Sequence, residues 1–275
     1  MVTTIIINSK NKITSLFNVS ELFNYKDLFL ELVLKDIKMR HKQTILGVAW
    51  VIFQPLLSTI IFTFIFGVII KINSGALPYP LFVFIGLNYW NFFSSCITSA
   101  SGSLLGNEAL IKKVYFPRII VPLSSIATNF FDFIISTLFL LILCAFYKVV
   151  PSIYLLIYFP ILTILILMTT IGLGLFLAAL NVRYRDVRQI LPFFIQILIF
   201  LTPVFYSSTI VSSDKQWLLA INPLTTSIEI TRNVFAGIYS INYMNLAIST
   251  ISAVSVYTLG IFFFKKTEKY FADLI

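Results

Sequence analysis

The sequence predicts an all-α integral membrane protein. It has six transmembrane helices, an N-terminal amphipathic interfacial helix, and an outer re-entrant helical hairpin between spans five and six. Three observations carry this. Of 275 residues, 59% are hydrophobic and 11% charged, where a soluble domain has roughly 25% charged residues. Mean hydropathy is +0.95, so lipid has to be the solvent. Lys and Arg gather at the ends of long charge-free runs, many at one run end and few at the next. The net charge of +9 therefore describes topology signals and attraction to anionic lipid. It does not describe a nucleic-acid surface, because no single polar face collects it.

The segment 1–44 reads as a cytoplasmic tail followed by the amphipathic helix. Met1 to Asn18 lacks the charged-then-apolar layout of a signal peptide. Ser20 is placed to cap a helix running to about Arg40. In it Leu22, Tyr25, Phe29, Leu32, Val33 and Ile37 recur at three- and four-residue steps. Such a helix lies in the membrane interface. A basic cluster follows, with Lys35, Lys38, Arg40, His41 and Lys42. The chain then has no charge from Ile45 to Ile70. About 26 residues make roughly 39 Å of helix at ~1.5 Å per residue, enough for a ~30 Å hydrocarbon core.

The six-span body covers 45–264. Spans are expected at about 45–70, 81–105, 119–147, 153–180, 189–206 and 245–264. The loop 107–117 mixes Glu108, Lys112 and Lys113 with Leu110, Ile111, Val114, Tyr115 and Phe116, and Pro117 ends it. This pattern suits a short helix lying along the membrane. Between spans five and six, apolar pieces at 217–221 and 228–238 are too short to cross. They are interrupted by Asn222-Pro223, Glu229 and Arg232. Such segments survive at membrane depth only when buried in protein or lining a cavity, hence the outer hairpin at 217–238. Glu229 and Arg232, three apart, can pair on one helix face. Lys265, Lys266 and Lys269 stop the last span and open the tail 265–275. With the amino terminus inside, 16 of the 20 Lys and Arg fall on inner segments, so both termini are expected in the cytoplasm. Tyr147, Tyr154, Tyr206, Trp217, Tyr239 and Tyr243 would form the outer aromatic belt.

Few residues carry chemistry. Asp132 is the one acid well inside a span. It costs ~2.5–3.5 kcal/mol at a helix centre, and the Ile, Leu, Val and Phe of span three, at ~0.3–0.6 kcal/mol each, outweigh it. It either faces a translocation path or proton relay, or it bonds to bundle neighbours such as Asn129. A lone acid without a second intramembrane charge makes a poor relay. Phe62 and Phe66, one turn apart, could offer rings to a sugar or lipid, although Phe against lipid tails is commoner. Asp132, Phe62 and Phe66 are the candidate channel lining. Cys96 and Cys144 are expected near opposite faces, which argues against a disulfide. No Cys/His spacing suits a metal, and no catalytic pair of carboxylates stands out. No G-x-x-x-x-G-K-[ST] stretch occurs, so any ATP and Mg would belong to another chain. A membrane glycosyltransferase would need an acidic metal pair or a large soluble loop. A proton-driven transporter would favour several intramembrane ionisable groups.

Several motifs then occur in order: Lys35-Asp36-Ile37-Lys38, Lys42-Gln43-Thr44-Ile45-Leu46-Gly47-Val48-Ala49-Trp50, Gln54-Pro55-Leu56 and Pro78-Tyr79-Pro80. They continue with Lys113-Val114-Tyr115-Phe116-Pro117-Arg118, Val121-Pro122-Leu123, Asn181-Val182-Arg183-Tyr184-Arg185-Asp186-Val187 and Asn222-Pro223-Leu224. Together they resemble ABC-type polysaccharide export permeases, nearest to those for lipid-linked O-antigen. Capsule and teichoic acid permeases are near relatives. The resemblance implies a bacterial inner-membrane subunit, two copies with the channel at their interface, and a separate ATP-binding subunit docked on each. It implies that Glu108, Lys112, Lys113, Val114 and Tyr115 form the ATPase-coupling helix. The amino-terminal helix, with Lys35, Lys38, Arg40 and Lys42, would be a cytoplasmic gate admitting the lipid headgroup. Glu229 and Arg232 would sit in paired outer re-entrant helices. The implied substrate is a glycan on undecaprenyl diphosphate.

Overall fold

A computed structural model describes residues 23–42, 47–184, 186–212, 215–238 and 241–271. The tail at Met1–Asn18, the Ser20 cap, Gln43–Leu46, Arg185 and Tyr239 lie outside the described residues. Ten α-helices are described. α1 is Lys26–Lys42. α2 is Ala49–Phe62 and continues as a π-helical stretch Thr63–Ile69. α3 is Tyr79–Gly106, α4 Glu108–Lys113, α5 Ile120–Phe146 and α6 Leu155–Arg183. α7 is Val187–Leu201, α8 Gln216–Ala220, α9 Pro223–Phe235 and α10 Tyr243–Glu268.

Five of these are long and apolar enough to cross a membrane: α2 with its π-helical extension, α3, α5, α6 and α10. Their bounds follow the charge-free runs within a few residues. The segment expected as a sixth span, 189–206, is instead the 15-residue helix α7. At ~1.5 Å per residue that is roughly 22 Å, less than a ~30 Å core. The reason is Thr202-Pro203. Thr202 takes extended geometry, as a residue before proline prefers, and proline has no N–H to continue the ladder. Residues 202–205 then run buried through the bundle.

Helix α3 is the axis, with 78% of its apolar window buried against 11% for α2. It packs on α5 and α6, and α6 packs on α10. The α6–α10 crossing brings backbone onto backbone. A Cβ on Gly260 would collide with the Gly172 carbonyl, and one on Gly172 would stand 2.5 Å from the Val256 carbonyl oxygen. Small residues at such crossings let helices approach closely where lipid supplies no hydrophobic drive. Cys96 and Cys144 are both buried and free.

Two contacts set the course of α1. Leu32 is buried in a cluster with Ile111, Phe116, Ile119 and Ile120. Eight residues later Arg40 bonds Asn129 and Asp132 on α5. A helix lying flat in an interface plane would touch α5 at one level, whereas α1 follows it at two. Its packed face carries Leu28, Phe29 and Leu32, with Tyr25 just ahead of the helix; Tyr25, Phe29 and Leu32 belong to the periodicity legible in the sequence. The opposite face exposes Leu30 and Leu34.

Candidate functional site

Asp132 is twelve residues into α5, ~18 Å along its axis. Arg40 reaches it there, Nη1 to Oδ2 at 3.0 Å. The same nitrogen donates to Asn129 Oδ1 at 2.8 Å. Asn129 Nδ2 in turn donates to Ser99 Oγ and to the Ser125 carbonyl. One polar network thus ties α1, α5 and α3. It supplies the second charge whose absence the sequence suggested, and Asn129 shares the Arg40 donor with Asp132. One turn before Arg40, burial raises the Asp36 carboxyl above its ordinary value, and the charges of Lys35 and Arg40 oppose that rise. The Arg40–Asp132 pair is partly exposed, so screening holds it to ~1 kcal/mol. Arg40→Ala is expected to speed amide exchange in residues 26–42 by roughly tenfold or less. The swapped pair Arg40→Asp with Asp132→Arg should restore protection, which hydrogen-exchange mass spectrometry measures.

Arg40 and Asp132 line a cavity of about 440 Å³ between α2, α3 and α5. Arg40 and Asn129 also border an open groove of about 610 Å³ against α7, with Gln196 on its far wall. Both are walled by one stripe of α3. Asn91, Ser94, Ser95, Thr98 and Ser99 recur at helical spacing and so share a face. Thr98 and Ser99 donate to carbonyls one turn back, at 2.8 and 2.7 Å. Their hydroxyl hydrogens are thus committed to the helix, while the oxygens remain acceptors. A third hollow of about 410 Å³ continues the stripe past Gly102 to Asn181 and Arg188. The result is a polar path along an otherwise apolar bundle, with an uncharged wall on α3. Sequence reading overlooked it, although the three-to-four spacing of polar residues inside an apolar run was visible. The rings of Phe62 and Phe66 pack on Phe205, with centroids 4.0 and 5.8 Å away.

At the end of the bundle where α3 leads into α4, Lys112 pairs with Glu108. Ile111 and Phe116 are buried with Leu32 of α1. Between these anchors Val114 is 50% and Tyr115 77% exposed, with Lys113 beside them. The Arg118 backbone N–H donates to the Glu268 carboxylate at 3.0 Å. Its guanidinium donates to the Glu268 carbonyl at 2.6 Å. So α4, α1 and the end of α10 form one joined unit.

At the opposite end, α8 and α9 meet at Asn222-Pro223. Asn222 caps α9 by accepting from the Leu224 N–H, and Pro223 occupies the first turn, where no N–H is needed. Arg232 is buried. It donates to the carbonyls of Phe82, Pro203, Val204 and Tyr206. Its guanidinium carbon lies 3.4 Å from the centre of the Phe82 ring. Gly86 makes the room, since a Cβ there would meet Arg232 Nη2 at 2.7 Å. Glu229 and Arg232 attract each other electrostatically, but no hydrogen bond between them is formed among the described residues, because the guanidinium N–H groups are turned onto carbonyls. Glu229 Oε1 is buried without a hydrogen-bond partner.

The family described as ABC-2 type transporter matches residues 27–236. Two O-antigen export system permease proteins RfbA of Klebsiella pneumoniae are 28% and 30% identical to this chain. Each alignment covers 94% of this chain and 98% of the relative. Its counterpart in Myxococcus xanthus is 29% identical, over 79% of this chain and 83% of the relative. The chain belongs to the ABC-2 type transporter family, the membrane-spanning part of a machine whose ATP is bound by a separate subunit.

Proposed function

We propose that this chain is the permease subunit of a bacterial inner-membrane exporter of lipid-linked polysaccharide, with an O-antigen-type glycan on undecaprenyl diphosphate as its substrate. The carrying observation is the stripe Ser94, Ser95, Thr98 and Ser99 facing an open groove. Hydroxyl and amide groups without net charge suit sugar hydroxyls, and lipid tails gain nothing from them. The names of the relatives support the same substrate class. Two copies face each other across the groove. Both termini are cytoplasmic, as the Lys and Arg count indicates. α7 with the extended residues 202–205 makes the sixth crossing, and α8–α9 is the outer re-entrant hairpin. α1 gates access for the diphosphate headgroup, with Lys35, Lys38, Arg40 and Lys42 supplying the charge.

The chain performs no covalent step. ATP and Mg²⁺ are held by the partner subunit. Closure of that subunit moves α4. The shared cluster of Ile111, Phe116 and Leu32 passes the motion to α1, and Arg40 passes it to α5 and the groove. A bistable packing biased by a ligand on another chain is sufficient for this. Deleting the gene should leave lipid-linked polymer inside the cell and none on the surface. Reintroducing the chain should restore surface polymer. Undiminished surface polymer after deletion would refute the reading.

A further inference from the structure

Beneath the outer ends of α2 and α7 lies a second cavity, of about 440 Å³, within the range of small-molecule sites. Asn73, Gln216, Glu229, Asn233, Asn242 and Asn245 contribute to its wall. It is separate from the α3 stripe. The carboxylate of Glu229 is the unusual group. Its Oε1 is buried and accepts no hydrogen bond. A buried polar atom left this way costs stability, so a fold that retains one holds an unused acceptor. Arg232 also borders this cavity, but its N–H groups are turned onto the carbonyls of residues 82, 203, 204 and 206. The side chains of Asn233 and Asn245 make no hydrogen bond among the described residues either.

We infer that this cavity binds a neutral sugar unit of the outgoing polymer, with the Glu229 carboxylate accepting from a hydroxyl and the surrounding amides ordering the ring. The inference rests on the glycan-export reading and adds a docking site at the exit. The chemistry excludes the other ligand classes. An anion would be repelled by the Glu229 carboxylate, and the Arg232 N–H groups that could have bound it are turned onto backbone carbonyls. A divalent cation would find one carboxylate there and a guanidinium beside it. A neutral polyol supplies hydroxyl donors to the carboxylate and both donors and acceptors to the amides. A unit held here would resist sliding back while the motor resets.

The test uses the purified full chain and polysaccharide released by mild acid from the surface of the same bacterium. Binding is followed by saturation-transfer NMR, and stability by thermal unfolding. Glu229→Leu should weaken binding by roughly tenfold or more, the weight of a charge-assisted hydrogen bond. It should leave the melting temperature within about 2 °C of wild type, because removing an acceptor without a hydrogen bond offsets the lost attraction to Arg232. Glu229→Gln, keeping one acceptor, should fall between. Equal binding by wild type and Glu229→Leu would overturn the inference. So would joint loss of binding and stability, which would make Glu229 a structural residue, and so would no binding by the wild type. Restoration of surface polymer in the deletion strain, scored in parallel, judges the export reading separately.

Discussion

Arg232→Met is expected to destabilise the purified chain by ~3–5 kcal/mol, the cost typical of breaking a buried, fully hydrogen-bonded charge. Methionine fills similar volume but donates nothing. The carbonyls of Phe82, Pro203, Val204 and Tyr206 would lose their shared donor while still buried or half-buried. These carbonyls belong to the first turn of α3 and to the broken segment after α7, so that end of the bundle would come apart as a unit. Arg232→Lys should recover little, because one ammonium cannot reproduce the planar fork. At ~2–4 °C per kcal/mol for a chain of this size, melting should fall by roughly 10 °C. A melting temperature within about 2 °C of wild type would show that the segment is held by something else.

The second large effect concerns function without stability. Tyr115→Ala combined with Lys113→Glu should weaken binding of the ATP-binding subunit by roughly thirtyfold or more, as truncating a tyrosine anchor of an interface does. Coupled ATP hydrolysis should fall with it. The chain itself should melt as wild type does, since exposed substitutions stay within ~0.5 kcal/mol. Lys112→Ala should matter far less. Its charge is already neutralised by Glu108 one turn away, so the partner meets a balanced pair there. Binding measured between purified subunits, with melting of each variant, separates these outcomes. Unchanged affinity for the double variant would remove α4 from the docking surface.

Much of the architecture was legible because one solvent property dominates. Charge-free runs of sufficient length had to become helices, and their ends had to fall near charged or proline residues. Hence the close match of α3, α5, α6 and α10 to the expected spans. α7 is the exception, and its shortness also had a visible sign in Thr202-Pro203. Contacts between residues distant in sequence were not legible. Arg40 sits in a basic flank that reads as a headgroup contact, and nothing local says that α1 climbs along α5 to Asp132, 92 residues away. Glu229 and Arg232 have the spacing of a helix-surface pair. The pairing rule assumes a free guanidinium, and four backbone carbonyls claimed this one first. Phe62 and Phe66 illustrate the same limit. Their shared face was correct, but the partner it meets, Phe205, lies in a segment without regular structure.

In the proposed function this chain provides the path and a separate subunit provides the energy. The most direct measurement reconstitutes the chain in vesicles with the ATP-binding subunit and lipid-linked polymer, and follows the polymer's appearance on the opposite leaflet. Transfer is expected only when chain, partner and hydrolysable ATP are all present, with none from the chain alone. Transfer by the chain without its partner, or nucleotide hydrolysis by the purified chain, would contradict it.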